Sequence, residues 1–209
     1  MITLLVFARA PVAGLCKTRL IPRLGARGAA WVQRRLVEHL LDAAQAAARA
    51  SSEPMRLILC GAPDARHHFF KACQKRYGAQ LERQSRGDLG QRMRAAIRAQ
   101  VAQGPVLLVG SDAFGLGSAD LLAAVAALKH CDYTVIGAPD GGYVLIGARK
   151  PLPSLAGVAW SSGRERMQTL RRLREHGSAD ASHAQRSDFD TARDWQRARR
   201  AGQLAPLMR

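Results

Sequence analysis

The sequence predicts an α/β protein, a three-layer α/β/α sandwich around a mostly parallel mixed sheet. Short apolar runs at 2–8, 55–60 and 106–109 alternate with longer stretches whose apolar residues recur at helical spacing. Runs this short and continuous suit strands covered on both faces. The chain has 209 residues, 47% of them hydrophobic. That is enough for one sizeable core, and one domain is expected.

Each element has its own signal. Residues 2–8 form the first strand, which stops at Arg9. A basic loop follows over 9–24, with Pro11, Gly14 and Pro22 as breakers. Val32, Leu36, Leu40 and Leu41 then predict a helix over 26–50. The strand at 55–60 runs into Gly61-Ala62-Pro63-Asp64, which starts a helix reaching Tyr77. A short strand is expected at 80–84. Asp88 is the expected N-cap of the next helix, whose Leu89, Met93, Ile97 and Val101 make one stripe toward the sheet. After the strand at 106–109, Ser118 is the expected cap of a helix over 118–129, with Asp120 near its positive end.

Strands at 132–138 and 143–148 flank the turn Pro139-Asp140-Gly141-Gly142. Pairing directly, they would form a hairpin that interrupts the parallel order. A loop through Trp160-Ser161-Ser162-Gly163, a helix over 164–176 and a last helix over 194–201 complete the reading.

Composition narrows the function classes. No stretch approaches the roughly 18 apolar residues of a membrane span. Residues 2–8 are too short for a signal core and have no basic segment before them, so a cytoplasmic location is expected. Cys16, Cys60, Cys73 and Cys131 are scattered without a CxxC pair, which argues against zinc and disulfides. The net charge of +16 favours polyanionic partners, namely nucleotides, phosphosugars, nucleic acid or acidic lipid, without choosing among them. Aromatics at 5% leave few stacking platforms for nucleic acid. There is no GxSxG elbow or Cys-His signature for nucleophilic hydrolysis.

Four segments carry candidate chemistry. Arg9, Lys17, Arg19 and Arg23 load the loop after the first strand. Strand, basic loop and helix can cradle a phosphate with a lysine point charge and arginine forks. The loop is neither a P-loop nor a GxGxxG fingerprint, and its plainer reading is an exposed basic turn. Asp112, in Gly110-Ser111-Asp112, stands at the carboxyl end of a buried strand, where open α/β sheets bind ligands. A carboxylate there can hold a hard cation, or merely shape a turn. In Asp140-Gly141-Gly142-Tyr143, the glycines allow close backbone approach and the tyrosine can stack on a substrate, but a hairpin turn needs the same residues. Asp188, Asp190 and Asp194 offer a second metal ligand or, alternatively, helix caps.

In this order the segments resemble the bacterial DUF2064 family of GT-A-like proteins, provisionally assigned as glycosyltransferases. Some members are associated with arsenosugar biosynthesis. The matching pieces are Phe7-Ala8-Arg9-Ala10-Pro11, Gly14, Lys17-Thr18-Arg19-Leu20, Gly87-Asp88-Leu89-Gly90-Gln91-Arg92-Met93, Gly110-Ser111-Asp112, Asp140-Gly141-Gly142-Tyr143, Trp160-Ser161 and Asp188-x-Asp190-Thr191. A more distant likeness is to nucleotidyltransferases of the same fold, including the guanylyltransferase of coenzyme F420 biosynthesis.

The resemblance implies a single GT-A, or nucleotide-diphospho-sugar transferase, domain over 1–209, with a nucleotide half at 1–110 and a metal and acceptor half at 111–209. It places Arg9, Lys17, Arg19, Asp88 and Arg92 on the nucleotide and phosphate side. Asp112 and Asp190, or Asp188 in place of Asp190, would hold Mg²⁺ or Mn²⁺. Asp140, Gly141, Gly142, Tyr143 and Trp160 would line the acceptor side, with Asp112 and Asp140 as catalytic candidates. This chain departs from the family pattern at Arg9, where lysine is usual, and at Trp195, where leucine is usual. It also has Phe114 where a proline would stiffen the loop after the aspartate.

The expected activity is metal-dependent glycosyl transfer from a nucleotide sugar to a small-molecule acceptor, with a homodimer allowed. The alternatives are nucleotidyl transfer from an NTP to a phosphorylated or acidic acceptor, with pyrophosphate released, and non-catalytic nucleotide binding.

Overall fold

Seven strands form one sheet in the computed structural model, which describes residues 1–200. They are β1 (Ile2–Arg9), β2 (Met55–Ala62), β3 (Gln80–Arg83), β4 (Val106–Gly110), β5 (Tyr133–Gly137), β6 (Tyr143–Ala148) and β7 (Ala179–Asp180). Their order across the sheet is β3-β2-β1-β4-β6-β5-β7. β6 alone among the described strands runs antiparallel, pairing with β4 on one side and β5 on the other. The expected hairpin therefore forms, with its second strand inserted beside β4.

Helices cover both faces. α1 (Ile21–Ala50), α2 (His68–Tyr77) and α4 (Ser118–Ala127) pack on one side. α3 (Leu89–Gln100) and α5 (Glu165–Arg174) pack on the other. β1 shows why its run is unbroken: Leu4, Val6 and Ala8 face the first layer, while Leu5 and Phe7 face the second. α6 (Ala192–Arg200) closes a third, smaller cluster through Ala198 and Trp195. No helix among the described residues is long and apolar enough to cross a membrane.

Several boundaries differ from the sequence reading. α1 begins at Ile21, inside the predicted loop, because Pro22 falls in the first turn, where its missing N–H costs nothing. Gly25, at φ +69°, kinks that helix. α2 begins at His68 with His67 as its cap; the carboxylate of Asp64 is already accepting the Arg66 N–H. The cap of α4 is Gly117 and not Ser118, because Asp120 reaches back to accept the Gly117 N–H at 2.9 Å. β7, two residues long and parallel to β5, is too short to leave a periodic signal. Residue 201 of the last predicted helix lies outside the described residues.

The topology fixes the site. From β1 the chain moves outward to β2 and β3, then returns to place β4 on the other flank of β1. The order reverses between β1 and β4, and a crevice opens beyond their carboxyl ends. Phe7 pairs with Gly110 there, and the Ser111 N–H donates to the Phe7 carbonyl at 2.9 Å.

Candidate active site at the β1–β4 crevice

The crevice is built around Lys17. Its backbone is left-handed, at φ 47° and ψ 41°. For a non-glycine residue this costs roughly 1–2 kcal/mol. The conformation turns the side chain inward. Its Nζ donates to Asp112 Oδ1, to Asp190 Oδ1 and to the Phe189 carbonyl, each at 2.6 Å. An ammonium has three protons, and all three have acceptors. The Lys17 side chain is 4% exposed. Burial by itself would lower its pKa, but the attraction of Asp112 and Asp190 overcomes this and holds it above the ordinary lysine value.

Packing holds the two carboxylates in register. Phe114, just past Asp112, lies edge-on to Phe189, next to Asp190, with ring centroids 5.0 Å apart. Leu20, Val32 and Leu36 complete this cluster, in which Phe189 is fully buried. The loop that proline would stiffen is held here by a ring contact. Gln33, 2% exposed, adds a polar tie by donating to the Arg9 carbonyl at 3.1 Å and to Ser111 Oγ at 3.2 Å. It joins the ends of β1 and β4. Sequence reasoning missed Gln33; its only signal is a polar residue beside the Val32, Leu36 and Leu40 stripe.

A cavity of about 480 Å³ extends from Lys17 along the basic loop. Arg9, Arg19 and Arg92 line it, together with Asp112 and Asp190. Arg9 donates to the Leu15 carbonyl at 3.3 Å, and Arg92 to Gln84 Oε1 at 3.0 Å. Gln84, also missed, donates to the Cys60 carbonyl at 2.8 Å and so fixes this wall. Asp88 stands at the N-terminus of α3, accepting the Gln91 N–H at 2.8 Å while Gln91 accepts its own N–H at 3.0 Å. This is a capping box, and Asp88 does not line the cavity.

A second cavity, of about 750 Å³, adjoins the first across Arg19, Tyr143 and Asp188. Phe7, Met93, Leu108, Ile146 and Trp160 form an apolar floor. Asp140, Glu165 and Asp188 stand on its walls. Asp140 Oδ1 accepts the Gly142 N–H at 2.9 Å. Gly141, at φ +90°, backs onto the Gly163 carbonyl, where a Cβ would collide, so it serves the turn and Gly142 faces the cavity. Burial pushes the Tyr143 phenol pKa upward. Burial also raises the Asp188 carboxyl to about 6, with the charges of Asp140, Asp190 and Asp194 adding to the effect. Asp194 is occupied locally, accepting from the Asp190 and Thr191 N–H groups at 3.1 and 2.7 Å and from Arg197 at 2.9 Å.

One oxygen each of Asp112 and Asp190 meets at Lys17 Nζ, so a hard cation shared by the pair would take the place of the ammonium. No larger metal-binding cluster of His, Cys, Asp or Glu occurs among the described residues. Two carboxylates completed by substrate phosphates are an ordinary Mg²⁺ set.

A family profile described as "Uncharacterized protein conserved in bacteria (DUF2064)" matches residues 43–162. The chain belongs to this family. The match spans Asp88, Arg92, Asp112, Asp140 and Trp160 of the DUF2064 chain, while Lys17 and Asp190 fall outside it. A protein from Desulfovibrio desulfuricans G20, provisionally named a nucleotide-diphospho-sugar transferase, superposes with a TM-score of 0.84 at 24% identity. That match covers 100% of this chain and 90% of the other.

The 4-diphosphocytidyl-2C-methyl-D-erythritol synthase of Anaerococcus prevotii DSM 20548 gives 0.63 at 12% identity, covering 97% of this chain and 98% of that one. A CMP:2-keto-3-deoxy-manno-octonic acid synthetase complexed with CTP gives 0.52 at 10% identity, covering 96% and 98%. The fold of this DUF2064 protein is thus the nucleotide-diphospho-sugar transferase fold. A search of curated proteins finds no match.

Proposed function

We propose that this DUF2064 protein transfers a glycosyl group from a nucleotide-diphospho-sugar to a hydroxyl acceptor. The observation that carries the reading is the convergence of Lys17, Asp112 and Asp190 at the point where the strand order reverses. Arg9, Arg19 and Arg92 around the same cavity supply the forks that a diphosphate needs. Asp112 and Asp190 are the residues that would hold Mg²⁺ or Mn²⁺, which when bound supplies positive charge beside the leaving diphosphate.

In the transfer step an acceptor oxygen bonds to the anomeric carbon as the bond from that carbon to the diphosphate oxygen breaks. The bonding pair leaves on the diphosphate, and the acceptor proton passes to Asp140. Arg19, exposed and lining both cavities, spans the donor and acceptor sides and meets the developing charge. Lys17 has all its protons committed within the protein, so it joins the phosphates only by releasing Asp112, Asp190 or the Phe189 carbonyl. The shared fold of the D. desulfuricans protein supports the donor class.

Calorimetry tests the reading. Wild-type protein should bind a nucleotide sugar more tightly with Mg²⁺ or Mn²⁺ than without, and Asp112→Ala should lose that difference. Unchanged metal dependence in the variant sinks the metal role. The second reading, nucleotidyl transfer, is favoured by the synthases that share the fold. It alone predicts pyrophosphate release when the protein meets an NTP and an acceptor. Nucleotide binding with no turnover on any donor would instead mark a binding protein.

A further inference from the structure

We infer that the second cavity takes an acceptor that carries hydroxyl or ammonium donors on a partly apolar body, and that it turns anionic acceptors away. The inference rests on the proposed transferase reading and names the acceptor class of that same site.

The cavity's polar groups are sorted by what already engages them. Asp190 is held by Lys17, and Asp194 by Arg197 and the amides before α6. Asp140, Asp188 and Glu165 remain on the walls. Glu165 is the informative one. It is 7% exposed; its Oε1 accepts the Ser162 N–H at 2.7 Å, and its Oε2 meets no partner. A buried carboxylate oxygen without a donor is unfavourable. Oε2 is closed to solvent, so a ligand donor removes that cost only as the Glu165 side chain turns toward the cavity it lines.

Ionised carboxylates only accept hydrogen bonds, so a ligand matched to these walls must donate. The apolar floor, with Tyr143 beside it, suits a ring or sugar face. The volume of about 750 Å³ lies within the range of small-molecule sites. The cations on this side are arginines: Arg19 shared with the donor end, Arg197 tied to Asp194, and Arg193 exposed at the rim. An anion entering the cavity would meet Asp140 and Asp188 on its walls, with the buried Glu165 carboxylate beside them. A phosphorylated or acidic acceptor, as nucleotidyl transfer would require, therefore fits poorly.

The test uses three probes that differ only in head group: 4-hydroxybenzyl alcohol, 4-hydroxybenzylamine and 4-hydroxybenzoate. Each is titrated into the full chain by ligand-observed NMR, without nucleotide or metal. Binding in the cavity is the part lost in Trp160→Ala. The alcohol and the amine should bind there at least tenfold more tightly than the carboxylate. Glu165→Gln should narrow the amine-to-carboxylate ratio about threefold, and Asp140→Asn, at an exposed turn, keeps the test open if that variant fails to fold.

Carboxylate binding equal to that of the alcohol, no Trp160-dependent binding of any probe, or a ratio unmoved by a folded variant would each overturn the inference. Because no donor is present, these results stand apart from nucleotide-sugar binding. Probe selectivity without metal-dependent donor binding would count against the transferase reading alone.

Discussion

The two ends of the crevice treat their polar groups in opposite ways. At the Lys17 end every proton of the ammonium has an acceptor, although the lysine is nearly buried and its backbone is left-handed. Across Tyr143, Glu165 keeps one oxygen without a partner, and Asp188 is a crowded carboxylate with a raised pKa. The first end is assembled before any ligand arrives. The second keeps one buried acceptor unmet. A fully satisfied polar network rigidifies its surroundings, and an unsatisfied buried group is costly.

The comparison can be broken at its packing first. Phe114→Ala removes the ring that ties the Asp112 loop to Phe189, and should cost about 3 kcal/mol in denaturant unfolding, at the lower end of phenylalanine truncations. Wild-type stability in that variant would show that the ring contact does not hold the loop.

Lys17→Met attacks the charge instead. It leaves Asp112 and Asp190 facing one another, and the loss should be about 2–3 kcal/mol. That is less than for a fully buried pair, because the carboxylate side chains are 44% and 38% exposed. The variant should also bind Mn²⁺ more tightly than wild type in calorimetry without nucleotide, since the cation no longer displaces an ammonium. Equal or weaker Mn²⁺ binding would refute a shared position for lysine and metal.

The smallest effect is expected at Asp120, which anchors Arg186 at 2.6 and 2.9 Å below the site. Burial opposes the charged form of Asp120, but the hydrogen bonds from Arg186 and Gly117 outweigh it and lower the pKa. A lowered folded-state pKa adds stability above the unfolded value, and that stability is lost as pH falls through the folded value. Asp120→Asn should therefore destabilise by about 1 kcal/mol at neutral pH and by less in acid, read from melting temperatures across pH 3–7. A constant difference across that range would separate the pair from the acid response.

The sheet was legible because its strands are short, apolar and covered on both faces. β1 and β4 announced themselves by composition alone, and Asp88 and Asp140 by local turn and cap chemistry. β7 did not, because two residues carry no period. The site was legible only in its parts. Lys17, Asp112 and Asp190 could each be noticed, but their meeting at one nitrogen depends on strand order, which no local pattern encodes. The partnership of Phe114 and Phe189 was hidden for the same reason: the two lie far apart in the chain and meet only when residues 188–190 dock. Glu165 was overlooked because one acidic residue at a helix start ordinarily signals the helix dipole.

The ties on the late segment have a consequence for how the molecule opens. Residues 186–190 are joined to α4 and to the loops after β1 and β4 by a salt bridge at Asp120, by the Phe189 ring and by the Lys17 ammonium. These contacts belong to one cooperative unit, so the segment cannot peel away without also freeing Lys17 and slackening the Asp112 loop. Local unfolding of this segment and loss of the Lys17 cluster are then a single event. The amide hydrogens of this segment should exchange with solvent at the rate at which the protein forgets its site, and a ligand that holds Asp112 and Asp190 together should slow that exchange.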